Sequence, residues 1–486
     1  NGTEASITHN TQNSYINNAF RPTVGAGTWS NAPITSNYLI WNRSASGGFD
    51  GNTIHMVGLT EPAGGTWTGT LFNGLSGALL YYRSQDGGDT WDRQDIQLPG
   101  MDSSMQIGMS GDVYAIAAQG ETVVIAYFDD WGDSFIVKSI DNGDTWTKTT
   151  FIDFPVDKYA MDDGIDLDGN GILDKLYSSD NSGALILDDN GDAHVFYGIM
   201  MYADDDLTDA ASSWFPGTNG ISYWNESMGA DNTPAMSNND IWTPNSLNII
   251  AAAPDLNGDG IVLGVDSVGG YALYYGSRAS MPSAGLDAYG NIWLSFSAYT
   301  ENIDDGAQVF RHIYVAKSED NGLSWSCPVD VTPHDTWDGM QECVFGSMSP
   351  VVDDKLRIIY QKDFYPGLAV RGDGTATGFP GYGDFVDLNE IVYLEIDTVG
   401  LFGNIISTYG CTDSIADNFD VLATIDDGSC VYIIPGCTDN YACNYNYLAT
   451  INDSSCIYTD NPIIDITLFS YTILTEFNNC NGPYDT

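Results

Sequence analysis

Two acidic segments carry oxygen donors at the spacing a hard cation needs. In Asp166-Leu-Asp168-Gly-Asn170-Gly171-Ile172-Leu-Asp174, side-chain oxygens fall at loop positions 1, 3, 5 and 9, glycine stands at 6 for the sharp turn, and the Ile172 carbonyl is available at 7. Position 12, where a full loop has a bidentate acid, is Tyr177. A second segment, Asp255-Leu-Asn257-Gly-Asp259-Gly260-Ile261, repeats the first half, with Leu263 at position 9 and Asp266 at 12, and is the weaker of the two. The expectation is structural calcium at Asp166, Asp168, Asn170, Ile172 and Asp174, and at Asp255, Asn257, Asp259, Ile261 and Asp266. The same residue types also favour solvated turns. The five histidines show no metal-ligand spacing, and no nucleophile elbow, phosphate loop or zinc motif is present.

The elements that must position these loops read as strands. Short β-type runs recur along the chain, among them Thr122–Tyr127, Ala193–Tyr197, Ile292–Phe296 and Leu356–Tyr360, separated by Gly, Asn and Asp clusters. Helical periodicity is almost absent, and 53 glycines serve the many turns. Asp188-Asp-Asn-Gly191 and Asp287-Ala-Tyr-Gly-Asn291 read as turns that each open an inner-strand candidate. Three copies of one motif follow a strand: Ser84-Gln-Asp86-Gly-Gly88-Asp-Thr-Trp91, Ser139-Ile-Asp141-Asn-Gly143-Asp-Thr-Trp146 and Ser318-Glu-Asp320-Asn-Gly322-Leu-Ser-Trp325. Asp can accept backbone N–H bonds within the turn, Gly supplies positive φ, the hydroxyls tie the loop, and Trp buries a large face.

These motifs resemble the Asp-boxes of sialidase-like β-propellers. The resemblance implies an all-β, six-bladed propeller, with seven blades as the alternative, and gives the Asp-box residues themselves a structural role. At roughly 50 to 70 residues per four-stranded blade, the part before residue 405 has the right length. A working sialidase clamps a carboxylate with three arginines and uses a Tyr/Glu pair and an Asp acid. The family's first arginine lies in a Phe/Tyr-Arg-Ile-Pro motif, which Phe20-Arg21-Pro22 matches only in part. Arg43 and Asp50 precede the first Asp-box at a tolerable distance for the accessory arginine and the acid, and Arg278 and Arg357 would have to complete the clamp. No Tyr/Glu pair can be assigned, so no catalytic residue is named. The first calcium segment resembles a dockerin or thrombospondin-type loop more than a full EF-hand.

Past Asp397 the texture changes. Gly410-Cys411-Thr-Asp and Asp426-Asp-Gly-Ser-Cys430 are followed in register by Gly436-Cys437-Thr-Asp and Asn452-Asp-Ser-Ser-Cys456, a tandem repeat of units too small to have cores of their own. Cys411–Cys430 and Cys437–Cys456 are the expected staples, Cys327–Cys343 a candidate loop closure, and Cys443–Cys480 a further pairing hypothesis. The repeats resemble modules of secreted and surface proteins of Bacteroidota, often cargo of the type IX secretion system. The expected division is 1–404 propeller, 405–433 and 434–459 stapled modules, and 460–486 the start of a further β module or a linker. The start at Asn1 reads as a processed N-terminus, and the β-type run Ile463–Phe469 as a lead into a longer chain.

Composition narrows the partners. Lys and Arg total 15 against 66 Asp and Glu, a formal charge of −51, yet 43% of residues are hydrophobic, so the acid coats folded domains. Such a surface repels nucleic acid and anionic head groups. No apolar run is long enough to span a bilayer. The function expected is a secreted or cell-surface binding protein for glycans or other surface ligands. An exo-sialidase-type hydrolase and a structural subunit of an extracellular assembly, engaging secretion machinery or neighbouring subunits, are the alternatives.

Overall fold

The computed structural model describes residues 4–10, 15–34, 39–65, 67–231, 235–237, 240–256, 262, 274, 276–304, 308–332, 341–367, 389–402, 409–410, 416, 425–426, 429–432 and 434–458. The chain divides into two units, Asn1–Leu401 and Phe402–Thr486.

The described part of the first unit is built from β-strands, with one three-residue 3-10 turn, Glu226–Met228. Among the described residues, six sheets of three or more strands follow one another along the first unit. The second is a four-stranded antiparallel meander of Leu39–Gly47, Thr53–Thr60, Leu79–Ser84 and Arg93–Gln97, and the third repeats it with Tyr114–Gln119, Thr122–Tyr127, Ser134–Ser139 and Thr147–Ile152. The first sheet has three strands. The fourth has seven, because Ile241–Thr243, paired with Ala235–Ser237, adds beside the first two residues of its leading strand and Ser213–Phe215 adds to Ala193–Ala203. The fifth begins with Ala279–Asp287 and the sixth with Glu342–Met348.

The leading strands of successive sheets lie beside one another: Leu39–Gly47 by Tyr114–Gln119, then Lys175–Leu187, Ala279–Asp287 and Glu342–Met348. Leading strands side by side with sheets radiating from them are the blade arrangement of a β-propeller. Burial agrees, since every residue of Leu79–Ser84 is buried whereas Arg93–Gln97 and Glu390–Asp397 alternate with exposed positions. A middle strand loses water on both faces because a neighbouring sheet packs on each.

The turns at 188–192 and 287–291 open Ala193–Ala203 and Ile292–Asp304, each paired directly with the leading strand of its sheet. Leading strands such as Lys175–Leu187, with its Ser178-Ser-Asp-Asn-Ser-Gly183 centre, have too little β-propensity to stand out. Cys327 and Cys343 are both free thiols rather than a disulfide. Cys343 is buried in the Glu342–Met348 strand, where burial pushes its thiol up to about 12, while Cys327 is exposed in the loop after the third Asp-box.

The three motif turns have one hydrogen-bond pattern. Ser84, Ser139 and Ser318 Oγ donate to the Asp carboxylate two residues on and accept from the N–H of Gly88, Gly143 and Gly322. Asp86, Asp141 and Asp320 in turn accept from the backbone and hydroxyl of Thr90, Thr145 and Ser324. Each turn also grips the preceding sheet. Gly143 lies against the Tyr81 hydroxyl and Gly322 against that of Tyr223, with Trp146 and Trp325 edge-on to the same rings. Gly88 meets Asn18 of the first sheet.

Behind those tyrosines stand histidines: His55 Nδ1 lies 2.7 Å from Tyr81 Oη and His194 Nδ1 2.6 Å from Tyr223 Oη. Burial, then the charge of Arg83, lowers the His55 pKa from 6.5 to about 4. Folded His55 therefore refuses protons that the unfolded chain accepts, and its contribution is complete above pH 6.5 and lost as pH falls through about 4. In His55→Gln the stability lost between pH 7 and pH 4 is expected to shrink by about 3 kcal/mol. Urea unfolding at the two pH values measures it, and equal acid losses in both proteins would refute it.

The second unit is organised around short parallel ladders. Tyr409–Gly410 pairs with Ile425–Asp426, and the second repeat pairs Pro435–Gly436 with Ile451–Asn452 in the same way. Cys437 and Cys456 form a disulfide, and Cys430 is also disulfide-bonded. Cys411 and Cys480 lie outside the described residues. Polar ties complete the second repeat, with Tyr458 Oη donating to Asp439 Oδ2 at 2.6 Å and Asn444 Nδ2 to the Ser455 carbonyl at 2.7 Å.

Candidate functional site

In an antiparallel meander, alternate turns fall at opposite ends of the sheet. The Asp-boxes therefore share one end with the first hairpin turns, and contacts such as Gly87 N–H to Asn52 O and Asn142 N–H to Glu121 O confirm it. The connections between second and third strands, and those between sheets, gather at the other end, and there the second and third sheets enclose a cleft.

One half of the cleft is an apolar groove of about 450 Å³ lined by Trp41, Leu59, Pro62, Trp67 and residues 107–111. Trp41 sits at a bulge in the innermost strand with φ 47°. The Tyr114 hydroxyl donates to its carbonyl, and its indole lies on Gly111, where a Cβ would come within 2.2 Å of the ring. Trp67 stands edge-on to Trp41, centroids 5.5 Å apart, and is 43% exposed. Glu61 fixes the small hairpin that presents it, accepting from Thr68 N–H at 2.9 Å and Thr68 Oγ1 at 3.0 Å.

The other half is a cavity of about 150 Å³ lined in part by Gln106, Asp129, Trp131, Asp133 and Tyr159, and it shares Ile107 and Gly108 with the groove. Asp129 accepts from Trp131 N–H at 3.0 Å. Burial, then the adjacent Asp130 carboxylate, pushes the Asp129 carboxyl up to about 7, and burial raises Asp130 as well. Two neighbouring acids thus hold a proton near neutral pH. Asn181, on the innermost strand of the fourth sheet, bonds Asp130. Trp131 stacks on Tyr159 at 5.1 Å, while its Nε1 is buried without an acceptor. Tyr159 is held in turn by its bond to Asp204, and Asp133 by Lys148 at 3.1 Å.

Sequence reasoning missed this cleft. Its residues come from four separate connections; apart from them, Trp41, Asp112, Asn181, Met281 and Phe345 have positive φ in or just before successive leading strands. No residue type marks those positions, so the bend comes from the sheet rather than from local preference.

Of the four arginines considered for the sialidase pattern, Arg21, Arg43 and Arg357 are held by acids. Arg21 bonds Glu4 of its own sheet and lies over Trp29, Arg43 reaches Asp112 at 3.4 Å, and Arg357 pairs with Asp353 and Glu395 of the sixth sheet. Asp50 caps the N–H of Asn52 at a hairpin tip. The Arg278 backbone N–H bonds Thr218 O, and its carbonyl accepts from buried Arg311.

The first calcium segment links the third sheet to the fourth. Asp166 accepts from the N–H groups of Gly169, Asn170 and Gly171, Asp168 accepts from Asn170, and Ile172 N–H bonds Asn170 Oδ1. Among the described residues no three acid, His or Cys side chains are already gathered closely enough to hold a metal. Of the second segment only Asp255 and Leu256 are described before residue 262, so Asn257, Asp259, Ile261 and Asp266 lie outside the described residues. No helix among the described residues is long and apolar enough to cross a membrane.

The fold defines the class: an all-β protein of propeller type. No family model matches the chain, and no curated protein matches its sequence. Among solved structures it is similar to an ulvan lyase of a polysaccharide lyase family, at 12% identity and a TM-score of 0.36 over 82% of each chain. It is also similar to an α-L-arabinanase of Penicillium chrysogenum, at 12% identity and a TM-score of 0.32 over 74% of this chain and 85% of that one. A Hadza microbial sialidase is 13% identical with a TM-score of 0.32, over 71% of this chain and 57% of the sialidase. Likeness at these levels carries no activity or substrate to the present chain.

Proposed function

We propose that the chain is a secreted or cell-surface protein that binds glycans in the cleft between its second and third sheets. The observation behind this reading is the adjacency of two unlike surfaces, a tryptophan pair in which Trp67 is exposed and Trp41 partly buried, and a partly buried acid pair, meeting at Ile107 and Gly108. A sugar ring offers C–H faces to an indole and hydroxyls to carboxyl and N–H groups, so one saccharide chain satisfies both halves. With a formal charge of −51, neutral glycans are favoured over sulfated, uronic or sialylated ones. The disulfides of the second unit support an oxidising, extracellular setting.

A glycan array, followed by titration of the best neutral hit, tests the reading. Trp67→Ala is expected to weaken binding about tenfold with the fold intact, because Trp67 is half in solvent and lost stacking is worth about 1 kcal/mol. Absence of neutral-glycan binding, or equal affinity in the variant, would overturn it. One observation favours a second reading as a glycan-cleaving enzyme: Asp129, poised near pH 7, could donate a proton to a leaving oxygen. Turnover of the bound glycan that Asp129→Asn abolishes would establish that reading in place of simple binding.

A further inference from the structure

We infer that Asp166, Asp168, Asn170, the Ile172 carbonyl, Asp174 and, from a separate strand connection, Asp240 form a calcium site that clasps the inner edge of the fourth sheet. Asp174 carries the inference. It is 1% exposed, its Oδ2 accepts from Leu167 N–H at 2.6 Å inside the loop, and its Oδ1 is buried with no hydrogen-bond partner. A buried carboxylate oxygen without a partner, in a loop rich in further oxygen donors, is what a bound cation would satisfy.

Asp240 was not visible as a ligand in the sequence. It stands 66 residues beyond Asp174, directly before Ile241–Thr243, which runs parallel to the start of Lys175–Leu187. Its carbonyl accepts from Lys175 N–H at 2.9 Å, and its carboxylate accepts from Asn170 Nδ2 at 2.6 Å. That same amide donates to Asp168 Oδ2 at 3.1 Å. The Asn170 amide nitrogen thus occupies the space between two carboxylates, where a cation would sit once the amide turns to present Oδ1. The nearest lysine in sequence does not serve, since Lys175 Nζ lies over the Phe215 ring. Carboxylate, amide and carbonyl oxygens in a flexible loop suit calcium better than magnesium, which demands a near-ideal octahedron.

The clasp has a structural consequence. Asp174 N–H bonds Ile165 O, and Gly164 N–H bonds the hydroxyl of Tyr159, a wall of the acid cavity. A cation here would steady the segment that carries that wall.

The test uses the full chain stripped with chelator, then titrated with calcium or with terbium as a luminescent probe. Millimolar calcium is expected to raise the melting temperature by about 4 °C or more, and equal magnesium to do much less. Asp174→Asn should abolish the shift, and Asp240→Asn should weaken terbium binding at least tenfold while the far-ultraviolet spectrum stays that of wild type. No calcium response, or a response intact in Asp174→Asn and therefore arising elsewhere, would overturn the site. Unchanged affinity in Asp240→Asn would overturn the two-segment clasp.

Discussion

Gly143→Ala is expected to cost about 3 kcal/mol or more, an effect far beyond that of most turn glycines. Two penalties add. Gly143 has φ 86°, where an alanine is strained by about 1 kcal/mol. The added Cβ would also stand 2.0 Å from Tyr81 Oη, an impossible contact. Tyr81 cannot yield cheaply, being fully buried, bonded to His55 and edged by Trp146. Gly322→Ala should behave alike, since its Cβ would lie 2.2 Å from Tyr223 Oη. Gly120→Ala is the control: its φ is 53° with open space around the missing Cβ, so only the strain remains. Chemical unfolding of the three variants measures the difference, and Tyr81→Phe in the Gly143→Ala background should recover part of the loss. A Gly143→Ala protein no less stable than Gly120→Ala would refute the grip between sheets.

Arg311→Leu should be comparably damaging, at about 3 to 5 kcal/mol. This arginine is fully buried, and its guanidinium donates to the carbonyls of Ser277, Ser297 and Arg278 while lying 4.1 Å over the Tyr299 ring. Its backbone N–H meets Glu342 Oε2 at 2.6 Å, so one residue ties the fifth sheet to the innermost strand of the sixth. Leucine fills part of the volume but leaves those carbonyls without their donor. Glu342→Gln should be mild by contrast and should change the pH profile. Burial pushes the Glu342 carboxyl from 4.5 up to about 8. Between those values the unfolded chain releases a proton that the folded chain keeps, so wild type loses stability as pH rises, and Glu342→Gln should not. Unfolding at pH 5 and pH 8 separates the two, and parallel pH profiles would show that Glu342 is ionised when folded.

Much of the architecture was legible along the chain. Alternating apolar runs between Gly/Asn/Asp turns mark strands because their side-chain period is local, and the Asp-box hydrogen bonds close within a few residues of one another. The repeat of the second unit was legible for the same reason, and the Cys437–Cys456 bond lies within one repeat. Strand rank was not legible. The polar innermost strand Lys175–Leu187 looks like a loop, since its Ser, Asp and Asn side chains find partners across sheets, as Asp180 does with Ser277.

Near-neighbour contacts set the all-β character of the chain, the common internal wiring of the three turns and the Cys437–Cys456 staple, and each could be read along the chain. Tertiary packing alone makes those turns hold one sheet to the next, sets Trp41, Trp67, Asp129 and Trp131 around adjoining hollows, and brings Asp240 to Asn170 of the acidic loop. Those juxtapositions depend on how twisted sheets stack side by side, which brings together residues from separate connections, and no local pattern encodes such a distance.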